Sequence, residues 1–591
     1  MNMAASVIKL SGVAVWFFLA LGQIVQAQVV TDGTLGKAAT LSGPNFQISS
    51  ELGKSVGANL FHSFSEFSLQ KGEAAVFTGP ENVENILGRV TGGKISNIDG
   101  LIQSEIAGAN LYLLNPSGFL FGKNAEIDVD GAFSVHASEK LNLEGEGVFD
   151  ALNPDQSVFF SSSPESFGFL EGNPVGEIKL DATRLKIEGD NRSFQTVGRK
   201  IEGTGGSSIT LTKGATLKQH AVEIHHTHTE IKTQGVTGDE AGAGGVEMVA
   251  DEIRLIKPNI TSDTRKGDAG DLVIKSNYTF LQAGKISAIS RDSGKTAGVK
   301  FIKNKPEEKS LFEVHRGGAI KSDVKSTGSG SDIYIEHDAM QWKSMKINTT
   351  TRGDGEGARV LVKGGELMAY NTRIDSTVTS KSKGGDIIIE VDDVTIKLGR
   401  LFSENLTLRD DSSKGGDIRV KGKVLTILTA GSIFSETAGD GVAGDIKVES
   451  EYIDLQGKNV STPIWFWMNG DQGFGGIGSV THKRGGNIKG GNTGDVEITA
   501  EHIKLSRGGV IFVVTKGSGD AGTLDLNAKK LEITGSESFY RTGGDVWNNV
   551  GDIDNEMYDS QITGQVWDNL ATGEWDLSSG CLLYTSDAAD E

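Results

Sequence analysis

The chain has 591 residues, among them 80 Gly and 9 Pro, and a formal charge of −20. The Gly shows no three-residue collagen period, and recurrent short apolar runs such as DIIIEV and FVVT argue against disorder. Nucleic acid is excluded as the main partner, because phosphate contacts need Lys/Arg patches, and the negative charge serves solubility.

Residues 1–27 read as a signal peptide. Lys9 supplies the positive start, Leu10–Val25 an apolar stretch, and Val25-Gln26-Ala27 the small-residue cleavage pattern. Cleavage is expected between Ala27 and Gln28. The apolar stretch falls short of the ~20 residues a spanning helix needs, which argues against a membrane anchor.

Residues 28–200 are expected to form one module. Its centre, from Gly57 to Gly131, contains Asn59-Leu60-Phe61-His62-Ser63-Phe64 and Asn85-Ile86-Leu87-Gly88-Arg89-Val90-Thr91-Gly92. Ser96-Asn97-Ile98-Asp99-Gly100 and Ala109-Asn110-Leu111-Tyr112-Leu113-Leu114-Asn115-Pro116-Ser117-Gly118 follow in order. These ordered motifs resemble the N-terminal two-partner secretion (TPS) domain of filamentous haemagglutinin-like exoproteins. The resemblance implies a partner, a cognate outer-membrane β-barrel translocator with POTRA domains. It also implies a chain that crosses that barrel and folds outside. The family's Asn-Pro-Asn-Gly motif stands here as Asn115-Pro116-Ser117-Gly118, with Ser117 in place of the second Asn. Ser, like Asn, hydrogen-bonds locally in a turn, but a role that needs the amide is put in doubt. Asn59, Asn85, Arg89, Asn115, Pro116, Ser117 and Gly118 are the candidate recognition residues. A simpler reading of the last four is a β-turn with Gly118 at its fourth position.

Residues 201–535 repeat with a period of about 28 residues. The anchors include Gly245, Gly270, Gly298, Gly330, Gly357, Gly385, Gly416, Gly444, Gly494 and Gly522, each before an apolar run. Such a period signals a stacked-repeat fold. One period, from Gly494, reads as three alternating strands with Gly or polar turns and no segment of helical periodicity. The predicted fold is all-β: a right-handed parallel β-helix, three strands per coil, about ten coils, with the N-terminal secretion domain as its cap. Val496, Ile498, Ile503 and Leu505 should point inward. Corner Gly should supply positive φ and close backbone approach. The Asp after the anchor (Asp271, Asp386, Asp417, Asp445, Asp495) should cap a turn. The nearly doubled spacing from Gly444 to Gly494 places an insertion near 464–489, containing Trp465-Phe466-Trp467.

Other signals weigh less. His226, His228 and Glu230 would share one face of a strand, beside His225 and Glu223, but a structural zinc site needs four placed ligands. Arg352-Gly353-Asp354 fits a chance turn in a Gly- and Asp-rich chain. Asn191, Asn259, Asn277, Asn348, Asn405 and Asn459 match glycosylation acceptors. No nucleophile elbow, P-loop or zinc-protease motif is present, and carboxylates are spread along the repeats. The tail 536–591 loses the repeat, and its end, with Cys581, is unlike anything upstream.

The sequence therefore predicts a secreted exoprotein of a Gram-negative bacterium, extracellular or at the cell surface, not an enzyme, with no cofactor or metal. An adhesin-like role toward a host-cell, surface or polysaccharide ligand is expected. A stalk for a C-terminal effector and a polysaccharide-active enzyme are the alternatives. Coil-by-coil folding on emergence would bias export outward, since stacking propagates between neighbours.

Overall fold

The computed structural model describes residues 28–162, 164, 175–189, 192–238, 240–407, 412–457, 475–481, 491–507, 509–514, 522–534 and 561–563. The expected signal peptide, Trp465–Trp467, Asn191, Asn459 and Cys581 lie outside them. The described residues form an all-β parallel solenoid of about 16 turns. At ~4.8 Å per turn the stack is roughly 75–80 Å long. No helix of the described residues is long and apolar enough to cross a membrane.

One coil illustrates the rule. Val246–Val249, Glu252–Ile256 and Asn259–Thr264 form its three strands. Each pairs in parallel, without slip, with Leu272–Lys275, Tyr278–Gln282 and Lys285–Ser290 of the next coil. Alternation turns Ile253 and Leu255 inward and Arg254 outward. In several coils the first two strands merge, as in Val360–Tyr370 and Ile387–Lys397. Val496, Ile498, Ile503 and Leu505 are buried as expected.

The third strands carry two unlike inner columns. Ile231, Ile260, Ile286, Ile320, Ile347, Ile374, Leu401, Ile433, Ile477 and Ile511 stack in register. Two residues along lie Thr233, Ser262, Ala288, Ser322, Thr349, Ser376, Ser403, Ser435 and Ser479, all buried. Some of these hydroxyls meet the Gly-rich return loops. Ser376 Oγ donates to the Gly385 carbonyl at 2.6 Å, and the Gly494 N–H donates to Ser479 Oγ at 3.0 Å. A return loop that turns backbone polar groups inward needs such partners.

The two roles expected of corner Gly are divided between different residues. The turn between second and third strands takes positive φ mostly at residues other than Gly (Lys257, Ala283, Arg316, Ser344, Asn371 and Leu398), with Gly317 joining Arg316 in its turn. The anchor Gly instead serve close approach. A Cβ on Gly416 would stand 1.9 Å from the Gly385 carbonyl oxygen, and one on Gly385 1.7 Å from that of Ala358.

The N-terminal module is built of coils too. Asn59–Phe67, Asn85–Val90, Asn110–Leu114 and Phe133–His136 stack in parallel on one face. Asn45–Ser49, Ala74–Thr78, Leu101–Ser104 and Glu126–Asp128 stack on another. This is why the stack exceeds the ten coils predicted: the module's turns lack the Gly anchor that revealed the others. The cap proper is Val29–Thr31, antiparallel to Asn59–Phe67 and to Ala39–Thr40, and it closes a strand edge open to further pairing. The 200/201 boundary falls inside the strand Ser193–Thr204, which pairs along its length with Thr216–Thr227. Shared pairing makes module and shaft one continuous core.

The span 464–489 is not a single inserted loop. Gly476–Thr481 within it is a third-face strand, paired with Ser432–Thr437 and Val510–Val514. Residues 458–474 and 482–490 lie outside the described residues.

Candidate functional site

Of the candidate recognition residues, Asn59, Asn85 and Arg89 lie in first-face strands of the module, and Asn115, Pro116, Ser117 and Gly118 form the turn that follows the first-face strand Asn110–Leu114. Parallel stacking in register puts Asn59, Asn85 and Asn110 in one column. Their amides form a ladder. Asn85 Nδ2 donates to Asn59 Oδ1 at 2.9 Å and Asn110 Nδ2 to Asn85 Oδ1 at 3.0 Å. Asn110 Oδ1 accepts the Ala132 N–H at 2.8 Å, and Asn59 Nδ2 donates to the carbonyls of Phe160 and Ser162. An amide both donates and accepts, so each Asn can take a bond from one neighbour in the column and give one to the other. Asn110 is not among the candidates; its separation of 25 residues from Asn85, close to the 26 between Asn59 and Asn85, is the signal the sequence offers.

Arg89 is almost fully buried. Nε donates to Ser63 Oγ at 2.8 Å, Nη1 to the Asp150 carbonyl and Ser157 Oγ at 2.6 Å each, and Nη2 to Thr34 Oγ1 at 3.0 Å. The guanidinium lies over the Phe149 ring at 4.9 Å. Burial lowers its pKa, against the opposing pull of Asp32, Asp150 and Asp155. Beside it, burial would raise the Asp32 carboxyl, but hydrogen bonds from Ser63, Thr34 and Thr91 outweigh it and hold the pKa below the usual value.

Above Arg89 lies an antiparallel hairpin, Lys140–Leu143 with Gly147–Asp150, outside the solenoid. Phe61, Leu87 and Leu114 point outward from the stack and bury against Leu141, Leu143, Phe149 and Ala151. The Phe61 and Phe149 rings meet edge-on at 5.2 Å. This face is thus covered on both sides, and the near-continuous burial of Asn85–Val90 follows.

Asn115-Pro116-Ser117-Gly118 is a β-turn closed by Gly118 N–H on the Asn115 carbonyl at 2.9 Å. Asn115 Oδ1 accepts the Ser117 N–H at 2.9 Å, and Nδ2 donates to the Lys94 carbonyl and Ser96 Oγ at 2.9 Å each. Gly118 has φ +97, and a Cβ there would meet the Glu177 carbonyl oxygen at 2.3 Å. Ser117 uses its backbone N–H in this turn, so the motif's departure leaves the geometry intact. Asn59, Asn85, Arg89, Asn115 and Gly118 are buried in the folded chain, while Pro116 and Ser117 are half-buried. Gln28 begins the described chain, its carbonyl accepting the Ser68 N–H at 3.0 Å.

The histidines do not share a face. The strand ends at Thr227, His228 turns the corner at φ 54, and Glu230 starts the next strand. His226 is buried, its Nε2 2.8 Å from Gln219 Oε1, and burial pushes its pKa down to about 4. Among the described residues no group of three or more His, Cys, Asp or Glu could hold a metal ion. Arg352 of the Arg-Gly-Asp tripeptide pairs with Asp323 at 2.6 Å. Of the glycosylation acceptors, Asn405 is fully buried and Asn259 exposed.

Residues 27–288 match the sequence model of the family described as the TPS secretion domain. The match extends past residue 200 and covers both module and first shaft coils. The chain is 20% identical over 279 residues to the heme/hemopexin-binding protein of Haemophilus influenzae, 46% of this chain and 29% of that protein. The chain thus spans under a third of that relative's length. It also aligns with the solved secretion domain of HMW1 from Haemophilus influenzae, at 16% identity and a TM-score of 0.35, covering 84% of this chain and 97% of that one.

Proposed function

We propose that this chain, a two-partner-secreted exoprotein with a TPS secretion domain at residues 27–288, acts outside a Gram-negative cell as an adhesin-like surface protein. Its partner in export is a cognate outer-membrane translocator that reads the module through POTRA domains. Residues 1–27 serve as the signal peptide, and Gln28 becomes the first mature residue. The coils beyond residue 288 form the presenting shaft.

One observation carries the adhesin reading. The outer side of the second strands is a straight row across coils: Arg254, Phe280, Glu313, Gln341 and Met368 lie in register. Beside the last of these, Met368, Tyr370 and Leu398 are each more than a third exposed, and Tyr370 pairs with Lys397, the residue before Leu398. Adjacent exposed apolar side chains on a rigid face are where partner surfaces dock.

The test expresses the chain in a Gram-negative host with and without its translocator. The medium and cell surface are assayed for protein, and secreted protein for binding to host cells and immobilised polysaccharides. Translocator-dependent export with binding weakened several-fold by Met368→Asp/Tyr370→Asp supports the reading. Export without a translocator overturns the secretion route, and unaltered binding overturns the assigned face.

A further inference from the structure

We infer that the seam between coils is a one-way template on which the solenoid folds from its N-terminal end toward its C-terminal end. The Asp417 N–H donates to the Asp386 carboxylate at 2.9 Å, and the Asp445 N–H to that of Asp417 at 3.1 Å. The Asp495 N–H donates to Asp445 at 3.0 Å and the Thr523 N–H to Asp495 at 2.7 Å. Each acceptor belongs to the earlier coil and each donor to the later one. The predicted capping role of these Asp is real, but the turn each one caps lies one coil ahead.

The same polarity recurs in different loops. Lys295 N–H donates to Asp268 at 2.9 Å, Gly298 N–H to Asp271 at 3.0 Å, and Ser331 N–H to Thr296 Oγ1 at 2.8 Å. Asn304 and Lys305 N–H both donate to Asn277 Oδ1. In the module the pairs are Asn97 on Ser68, Asn124 on Asp99 and Ala132 on Asn110. The opposite sense occurs at Thr183 on Ser207 and at Ser310 on Asp338, the second balanced by Asp338 N–H on Ser310 Oγ at 2.9 Å.

This polarity has a kinetic meaning. Once a coil is folded, its side-chain acceptors are already placed on the edge that faces the next coil. An incoming segment then satisfies its backbone N–H groups without first ordering side chains of its own, so less conformational entropy is lost at the addition step. Growth in the other direction lacks this advantage, because the incoming coil would have to order the acceptor. Charge strengthens the seam, since bonds to carboxylates are among the stronger ones. Lys383 bridges Asp386 and Asp417 at 2.9 and 3.3 Å, and Lys414 bridges Asp417 and Asp445 at 3.1 and 2.6 Å. The antiparallel cap on Asn59–Phe67 closes the end from which growth starts. The inference concerns the chain's own folding and stands whether or not it is exported as proposed.

The test is refolding of the purified chain from denaturant, followed by pulsed hydrogen exchange read by mass spectrometry. In the unsubstituted chain, protection is expected in residues 246–397 before 446–534. Asp417→Ala is expected to slow protection of 446–456, 496–506 and 524–534 roughly tenfold, through loss of the acceptor for the Asp445 N–H together with the ion pairs to Lys383 and Lys414. Residues 246–397 keep their rate. Asp417→Asn, which retains an acceptor oxygen, restores most of the downstream rate. Simultaneous protection throughout, or slowing on both sides of residue 417, overturns the inference. Should Asp417→Ala fail to fold, the order of protection in the unsubstituted chain decides.

Discussion

Arg89 Nη1 donates to the Asp150 carbonyl at 2.6 Å, joining the second stacked strand of the module to the hairpin outside it. The same guanidinium reaches Thr34 in the cap region, Ser63 in the strand before and Ser157 beyond the hairpin. One side chain therefore fastens cap, stack and hairpin. Arg89→Lys is expected to destabilise the module by about 2–4 kcal/mol, because an ammonium cannot span the fork of partners and leaves buried acceptors unmet. Urea unfolding followed by fluorescence measures it. A loss below about 0.5 kcal/mol would contradict this role.

The amide ladder is expected to be sensitive at its middle rung. Asn85→Ala removes the acceptor for Asn110 Nδ2 and the donor to Asn59 Oδ1 in a buried column. A cost of about 1–3 kcal/mol follows from stranding two amide groups. Asn85→Asp keeps the shape but turns a donor into a charge, and should be worse than Ala. Equal stabilities of the three proteins would show the ladder to be incidental.

In the Asn115 turn, two neighbours should behave oppositely. Asn115→Ala loses the bonds to Ser117 N–H, the Lys94 carbonyl and Ser96 Oγ, and is expected to lower stability by about 2 kcal/mol and secretion with it. Ser117→Asn contributes only its backbone N–H to the turn and should leave stability within about 0.5 kcal/mol. If Ser117→Asn raises secretion without altering stability, the translocator reads that side chain directly. If Asn115→Ala secretes normally despite its lower stability, the turn serves folding alone.

Acid should weaken the fold through its buried imidazoles. Burial pushes His62, His136 and His226 each down to about 4 from an ordinary 6.5. Their folded pKa values are depressed, so below pH 6.5 the unfolded chain binds protons that the folded chain refuses. Stability is full above pH 6.5 and falls as pH drops toward 4, with each group contributing up to roughly 3 kcal/mol. Thermal unfolding at pH 7 and pH 5 tests the slope, and His226→Gln should remove part of it. A melting temperature that is level across this window would contradict the assignment.

Gly416→Ala should be among the most damaging single-atom additions in the shaft. The new Cβ would sit 1.9 Å from the Gly385 carbonyl oxygen, a rigid backbone atom of the preceding coil. A cost of about 3 kcal/mol or more is expected from overpacking at a seam that cannot give way. Gly72→Ala, where nothing lies within 4 Å, controls for contact but carries φ +83 and should cost about 1 kcal/mol through the backbone alone. Equal losses at both sites would deny the seam its tightness.

The repeat was legible in the sequence because period 2 within strands and about 28 between them are fixed by local geometry: side-chain alternation and the path length of one coil. Hence Val496, Ile498, Ile503 and Leu505 could be placed inward from the chain alone, and the secretion module was named by ordered motifs. What the sequence did not reveal depends on which strands lie beside which. The module's own coils escape that reading because their Gly do not recur as a regular anchor before each apolar run. The amide ladder of Asn59, Asn85 and Asn110, the burial of Arg89 beneath an external hairpin and the forward step of each Asp cap are contacts between residues some 20 to 60 positions apart. The stacking of coils, which turns that separation into ~4.8 Å, decides the ladder and the caps, and the folding of the hairpin back over the first face decides the burial of Arg89.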